Sequence, residues 1–354
     1  MFFANLQMAY MGGSYYELQD RDRLAVNTNT GSFNFSLLRT GISAGPVSVN
    51  IIPLQNIQSV GSSFAHAGAA TYGDTMHGSI SYTLPMGILA GDKLRFVYEI
   101  NTGGILLHDT IEKIYQPLTV MFDNLDGSLA NWTFSNGWGA STVNSFSGTR
   151  SISESPSGDY ASSRTSSAVY NVPLDLSGAT AAYLSFWVRH RAENGDDKLQ
   201  IQLSPSGPGA GSSFASVCGR NTIAENNLAP SLTGIRENWT RETVDLENYL
   251  GASNIGLRFL FTSNGSNTDD GFYIDDIEIV KSNAIVLAPV KVVNAAEEGK
   301  SIGAARQIIA EIAGKKLPAI SVLCILSQHH CLALAIMPNA HYKPPTYKCC
   351  HSLF

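Results

Sequence analysis

Apolar and polar residues alternate with a period of two through most of residues 14–280. The clearest early runs are 32–38 (Ser-Phe-Asn-Phe-Ser-Leu-Leu), 47–52, 79–84 and 93–100. A strand sends successive side chains to opposite faces, so each run predicts a strand with one buried face. Gly41 to Pro46, Pro85 to Gly91 and Thr102-Gly103-Gly104 interrupt the runs as turns. The rhythm over residues 14–116 predicts a small immunoglobulin-like sandwich, without the Cys…Trp…Cys framework of antibody domains.

A second module spans 120–281, with strands expected at 183–189, 198–204, 239–246, 255–261 and 273–279. Long Ser/Gly/Pro loops between them fit a jelly-roll sandwich. The tryptophans Trp132, Trp138, Trp187 and Trp239 all fall here, and the alternation places Trp187 and Trp239 in the core. From 284 the pattern changes. Residues 301–313 have helical spacing (Ile302, Ala305, Ile309, Ile312) before Gly314, and 317–337 is apolar but broken by Ser327-Gln328-His329-His330. The interruption rules out a membrane span, which needs about 20 nearly unbroken apolar residues. The expected fold class is all-β, an immunoglobulin-like sandwich followed by a jelly roll, with a partly helical or disordered tail over 284–354.

Composition agrees: only 15% of the 354 residues are charged, and glycine is abundant. The net charge of −6 and the scattered Lys and Arg leave no basic stripe for phosphates, which excludes a nucleic-acid partner. No cysteine precedes Cys218, and Cys324, Cys331, Cys349 and Cys350 cluster at the end, so the body is expected to fold without disulfides. The first residues carry neither a basic segment nor a clear apolar core of a signal peptide, and the chain is expected to be a fragment whose start lies upstream.

Within 271–279 (Gly-Phe-Tyr-Ile-Asp-Asp-Ile-Glu-Ile) two adjacent carboxylates interrupt an apolar strand. Strict alternation puts Tyr273, Asp275, Ile277 and Ile279 on one face and Ile274, Asp276 and Glu278 on the other, so one aspartate points toward a core. A buried carboxylate is costly unless donors or a cation satisfy it. Calcium is the cation suited to oxygen ligands. The metal candidates are Asp275 and Asp276, with Asp123 near the first strand of the module and Asp159 in the Gly158-Asp159-Tyr160 turn. The competing reading has these acids capping turns or pairing with Arg189 or Arg258. Asp123-x-Asn-x-Asp126-Gly127 opens like a calcium loop, but Phe134 stands where an EF-hand needs Glu.

Other chemistry is poorly represented. His66, His77, His108 and His190 form no H-E-x-x-H or comparable zinc pattern, and the tail's Cys324, His329, His330, Cys331, Cys349, Cys350 and His351 match no zinc finger. There is no G-x-S-x-G elbow, and Gly207 to Gly211 lacks the lysine of a phosphate loop. Catalytic residues and an organic cofactor are therefore not expected. Trp138, flanked by Asn136, Gly137 and Gly139, is a candidate for stacking on a sugar ring; the alternative is core packing.

The motif order resembles MAM-like and immune-inhibitor-A-like jelly-roll modules: Phe122-Asp123, Asn131-Trp132, Gly137-Trp138, Leu174-Asp175-Leu176-Ser177-Gly178, Leu184-Ser185-Phe186-Trp187, Trp239 to Leu246 and Ile274-Asp275-Asp276-Ile277. The preceding segment, through 36–41, 45–49 and 78–84, is similar to the immunoglobulin-like domain between a zinc carboxypeptidase domain and such a jelly roll in secreted Bacteroidetes-type proteins. The resemblance implies a structural calcium ion and the non-catalytic accessory region of a secreted or surface-attached metallopeptidase, with zinc only in a missing upstream domain. It also implies an extracellular or cell-surface setting and a protein or glycan ligand. Its sorting domain has no counterpart here, which suggests a truncated or frame-shifted end. The alternative is a stand-alone adhesin or carbohydrate-binding protein; a peptidase acting through this chain alone ranks last.

Overall fold

The computed structural model describes residues 15–42, 45–209, 211–224 and 229–283, and the backbone of 322–327 and 330–335. The first nine strands are β1 (Tyr16–Asp20), β2 (Ala25–Val26), β3 (Thr30–Arg39), β4 (Val47–Gln55), β5 (Ser59–Val60), β6 (Phe64–His66), β7 (Thr75–Thr83), β8 (Lys93–Thr102) and β9 (Ile105–Tyr115). They form two sheets, in the orders β1-β3-β7-β5 and β2-β9-β8-β4-β6. The alternating residues of both sheets meet in one core, where Phe33 stacks between Tyr82 and Phe96 at centroid distances of 4.2 and 4.3 Å.

Eleven further strands build the second sandwich: β10 (Leu118–Asp123), β11 (Trp132–Phe134), β12 (Gly139–Ser141), β13 (Ser151–Ser153), β14 (Thr165–Leu174), β15 (Ala179–Arg191), β16 (Lys198–Ser204), β17 (Ala215–Ser216), β18 (Ile235–Asp245), β19 (Ile255–Thr262) and β20 (Gly271–Asn283). A six-stranded sheet runs β12-β13-β20-β15-β18, with β10 also on β20; it faces a five-stranded sheet ordered β11-β14-β19-β16-β17. The all-β, two-sandwich fold class follows directly from the alternation. Phe186, Val188, Ile274 and Ile279 from one sheet pack on Ile201, Leu257 and Phe259 from the other.

The last strand departs from strict alternation. Ser185 pairs with Glu278 and Trp187 with Asp275, so Phe186 alone of β15 opposes two residues of β20, Asp276 and Ile277. Asp276, at φ 46°, occupies this bulge. Consequently Phe272 and Ile274 face the core before it, while Ile277 and Ile279 face the core after it. No aspartate has to enter the apolar core.

The two sandwiches share a junction. Leu24 and Ile114 of the first meet Tyr183 and Val280 of the second in a small apolar cluster. Beside it Asp20 Oδ2 accepts from Lys113 Nζ (2.7 Å) and Arg241 Nη1 (2.8 Å), and Arg23 pairs with Glu278 at 2.6 Å. Lys113 is fully buried, and the carbonyls of Asp22 and Arg23 take its remaining donors. Contrary to the expectation for the body, Cys218 is disulfide-bonded.

The C-terminal unit is described by two strands, β21 (Val322–Ser327) and β22 (His330–Ala335), paired antiparallel with Ser327 opposite His330. The polar break in the apolar run thus falls where the two apolar strands meet. The helix expected at 301–313 and the side chains of the tail's cysteines and histidines lie outside the described residues.

Candidate functional site: buried carboxylates and an open sheet face

β10 and β20, the first and last strands of the second sandwich, lie side by side, with Asp123 opposite Ile277. This adjacency is what a cation staple requires, but the carboxylates are already engaged. Asp123 accepts from the Leu125 amide (2.8 Å) and from Trp132 Nε1 (2.9 Å). Asp275 accepts from the amides of Phe146 (2.7 Å), Ser147 (3.1 Å) and Asp276 (2.7 Å). Three amides answer the buried charge without a metal. Burial nevertheless pushes the Asp275 pKa up to about 6.

Asp275 stands on the outer side of the sheet beside Trp187, and it is buried because the loop between β12 and β13 lies over both. The Phe146 ring stacks on Trp187 at 3.9 Å, and Ser147 Oγ donates to Asp276 Oδ1 at 2.8 Å. The same loop receives Asp126, which accepts from Thr149 N (2.7 Å) and Thr149 Oγ1 (3.1 Å). Gly148, at φ +56°, has no room for a side chain, since a Cβ would collide with the Asp126 carboxylate. Burial raises the Asp276 pKa, and the negative charge of Asp126 adds to the rise.

Asp159 is exposed and forms no hydrogen bond with these acids. Asp275, Asp276 and Asp126 therefore gather on one loop, whereas Asp123 serves Trp132 and Asp159 stays apart. Among the described residues, no three His, Cys, Asp or Glu side chains form a metal-holding group. The expected pairings with Arg189 and Arg258 do not form either: Arg189 donates to Asn144 and Arg258 to Gln202. Turn capping is the reading that the hydrogen bonds favour.

Four buried acids escaped the sequence reading, Asp20, Glu154, Asp197 and Glu242, and two of them have strongly raised pKa values. Glu154 is fully buried, and both its oxygens accept from the Phe272 amide (2.9 and 3.1 Å); burial pushes its pKa to about 8. Glu242 accepts from the amides of Asn221 and Thr243, and burial moves its pKa to about 7. The only sequence signal for Glu154 and Glu242 was an acid inside an alternating run.

The tryptophans are also redistributed. Trp138 is 6% exposed and belongs to the core, so it presents no face to a sugar. Trp187 is buried, but beneath Phe146 on the outer side of the sheet, and Trp239 is half-exposed.

The outer face of the five-stranded sheet is partly open, with Gln202 buried in the middle of it. Register places Val169, Arg258, Gln202 and Ser216 in one row, with Ser167, Leu260 and Gln200 in the next. Arg258 Nε donates to Gln202 Oε1 at 2.7 Å, and its guanidinium lies 4.2 Å from the Phe214 ring centre. Gln202 Nε2 donates to Gln200 Oε1 (2.9 Å) and Ser216 Oγ (3.2 Å). The Nη donors of Arg258 have no acceptor among the described residues. Partial burial lowers the Arg258 pKa.

No protein-family model and no curated protein matches the chain. Among solved structures, the CBM22-1 xylan-binding domain of Xyn10C from Paenibacillus barcinonensis is 14% identical, with a TM-score of 0.32, over 48% of this chain and 97% of that one. The K1 cleaved adhesin domain of Lys-gingipain from Porphyromonas gingivalis W83 is 18% identical, with a TM-score of 0.32, over 46% of this chain and 98% of that one. The C-terminal family 22 carbohydrate-binding module of Clostridium thermocellum Xyn10B is 13% identical, with a TM-score of 0.31, over 47% of this chain and 97% of that one. At these scores the matches bear on neither ligand nor activity. The resemblance to MAM-like modules and to a carboxypeptidase accessory region gains no support from them. No helix among the described residues is long and apolar enough to cross a membrane.

Proposed function

We propose that the chain is a non-catalytic, extracellular binding module that takes a neutral glycan on the open face of the five-stranded sheet. The observation that carries this reading is the Arg258 guanidinium, held by the Phe214 ring and Gln202 with its outer donors unsatisfied. Gln200 and Ser216, on either side of buried Gln202, extend the row with amide and hydroxyl groups. Planar donors beside an aromatic ring suit sugar hydroxyls, which need directional hydrogen bonds and one apolar surface. The buried acids are tied up by backbone amides or by ion pairs at the junction, which supports a binding rather than a catalytic role. The upstream peptidase has no feature of the described residues in its favour.

Titration calorimetry with xylohexaose and with galactotriose tests this. Binding that weakens by about tenfold or more in Arg258→Ala supports the site, since a hydrogen bond to a charged donor contributes about 1.5–3 kcal/mol. Failure of both neutral sugars to bind the wild type overturns it.

A second reading keeps the structural cation in narrower form. Asp123 and Asp275 are consumed by their donors; Asp126 and Asp276 each use one oxygen on Thr149 or Ser147 and repel one another across the loop. A calcium ion between these two would relieve that repulsion and tie β10 to β20. At about 100 times its dissociation constant such an ion adds roughly 2.7 kcal/mol to the folded state. Calcium should then raise the Tm of the wild type and not of Asp276→Asn. An unchanged wild-type Tm removes the cation from the account.

A further inference from the structure

Two cations at the junction, Lys93 and Arg21, have no acceptor among the described residues; the Lys93 ammonium lies over the Tyr183 ring at 5.2 Å. Arg23 has Glu278, Lys113 and Arg241 share Asp20, and Arg189 has the Asn144 side chain. The Arg21 side chain has neither a hydrogen-bond acceptor nor an ion-pair partner among the described residues. Its guanidinium instead lies 4.2 Å from the Phe146 ring centre and 5.0 Å from that of Trp187. Arg241 approaches the same Trp187 at 5.2 Å. Two guanidinium groups thus flank one aromatic stack, one of them unpaired.

A half-buried cation without an acceptor is costly, and stacking offsets only part of the cost. Both burial and the neighbouring Arg241 disfavour the charged form of Arg21, and Asp276 opposes them. Asp276 supplies a counter-charge at a distance but makes no hydrogen bond or ion pair with Arg21, and its Oδ1 accepts from Ser147. The site therefore favours an incoming anion. Beside it stands half-exposed Trp239, edge-on to Phe146 at 6.1 Å. An indole next to an unsatisfied guanidinium provides an apolar surface for a sugar ring and a fork for a carboxylate.

We infer that Arg21, Arg241, Phe146 and Trp239 form a second binding site, composed across the two sandwiches, for a carboxylated saccharide. Arg21 comes from the first sandwich and the other three from the second, so the site exists only when the junction is assembled. The carboxylate takes the Nη donors of Arg21, and the sugar ring lies against Trp239. This site is separate from the Arg258 face, and either can fail without the other.

Tryptophan fluorescence of the full chain, titrated with trigalacturonate, galactotriose and acetate in turn, tests the assignment. Trigalacturonate is expected to bind more tightly than either control. Arg21→Ala should weaken it by about tenfold or more, with Arg21→Lys between the two because an ammonium keeps charge but loses the fork. Trp239→Ala, which leaves Arg21 in place, should weaken trigalacturonate but not acetate. If Arg21→Ala unfolds, Arg21→Lys and Trp239→Ala decide the matter. Equal affinity for trigalacturonate and galactotriose, or variants that bind trigalacturonate as the wild type does, overturns the site and leaves Arg21 as stacking between the sandwiches.

Discussion

The two outer faces of the second sandwich carry the same alternation and meet opposite fates. On the six-stranded sheet, Trp187, Tyr183 and Val280 point away from the core and are nevertheless buried, under the β12–β13 loop or the first sandwich. On the five-stranded sheet, Gln200, Arg258 and Leu260 point away from the core and stay partly open. The buried acids divide the same way: Glu242, Asp275 and Glu278 lie in strands of the six-stranded sheet, whereas no strand of the other sheet has a buried carboxylate among the described residues. A period of two establishes which residues share a face; what covers that face is set by segments far away in the chain.

The strongest way to break the contrast is Asp20→Ala. It strands fully buried Lys113 and also frees Arg241. Removing one partner of a buried pair costs about 3–5 kcal/mol, so urea unfolding should show a loss of that order. A loss below about 1 kcal/mol means that water reaches the junction and that the covered face is not covered in solution.

A pH series comes next. Glu154 is raised to about 8 and Glu242 to about 7, from an ordinary 4.5. The folded state then holds more protons than the unfolded one between these limits. The contribution of both groups is fully present below about 4.5 and is lost as pH rises through 7 and 8. His190, lowered to about 4 by burial, acts in the opposite sense: its contribution is present above 6.5 and is lost as pH falls toward 4. Stability should therefore fall from pH 6.5 to 8.5, roughly, and Glu154→Gln should flatten that slope. An identical slope in the variant shows that the Glu154 carboxylate is not held protonated.

The smallest effect belongs to the open face. Arg258→Ala should change stability by no more than about 0.5 kcal/mol, while removing the glycan affinity proposed for that surface. A large loss would place Arg258 among the covered residues and erase the difference between the faces.

Much of the architecture was legible. The run 198–204 coincides with β16, and 255–261 and 273–279 lie inside β19 and β20. β9 and β14 escaped because His108, Asp109 and Thr110, and Asn171 to Pro173, blur the alternation. The site was less legible. Asp275 and Asp276 stand at the bulge of the last strand, Asp123 and Trp138 satisfy local packing, and Arg21, Arg258 and Phe214 have no motif that marks them.

By itself the sequence determined the strands, the all-β class and the presence of carboxylates needing partners on the final strand, because side-chain period and the cost of burying charge are local properties. Only the tertiary structure decided how those carboxylates were answered. The bulge at Asp276 reverses the alternation, and the amides of Phe146 and Ser147, more than 120 residues earlier, reach Asp275. The pairing of Asp20 with Arg241 and the lack of an acceptor for Arg21 likewise depend on how one sandwich meets the other. Hydrogen bonds and ion pairs form between neighbours in space, and separation along the chain does not encode them.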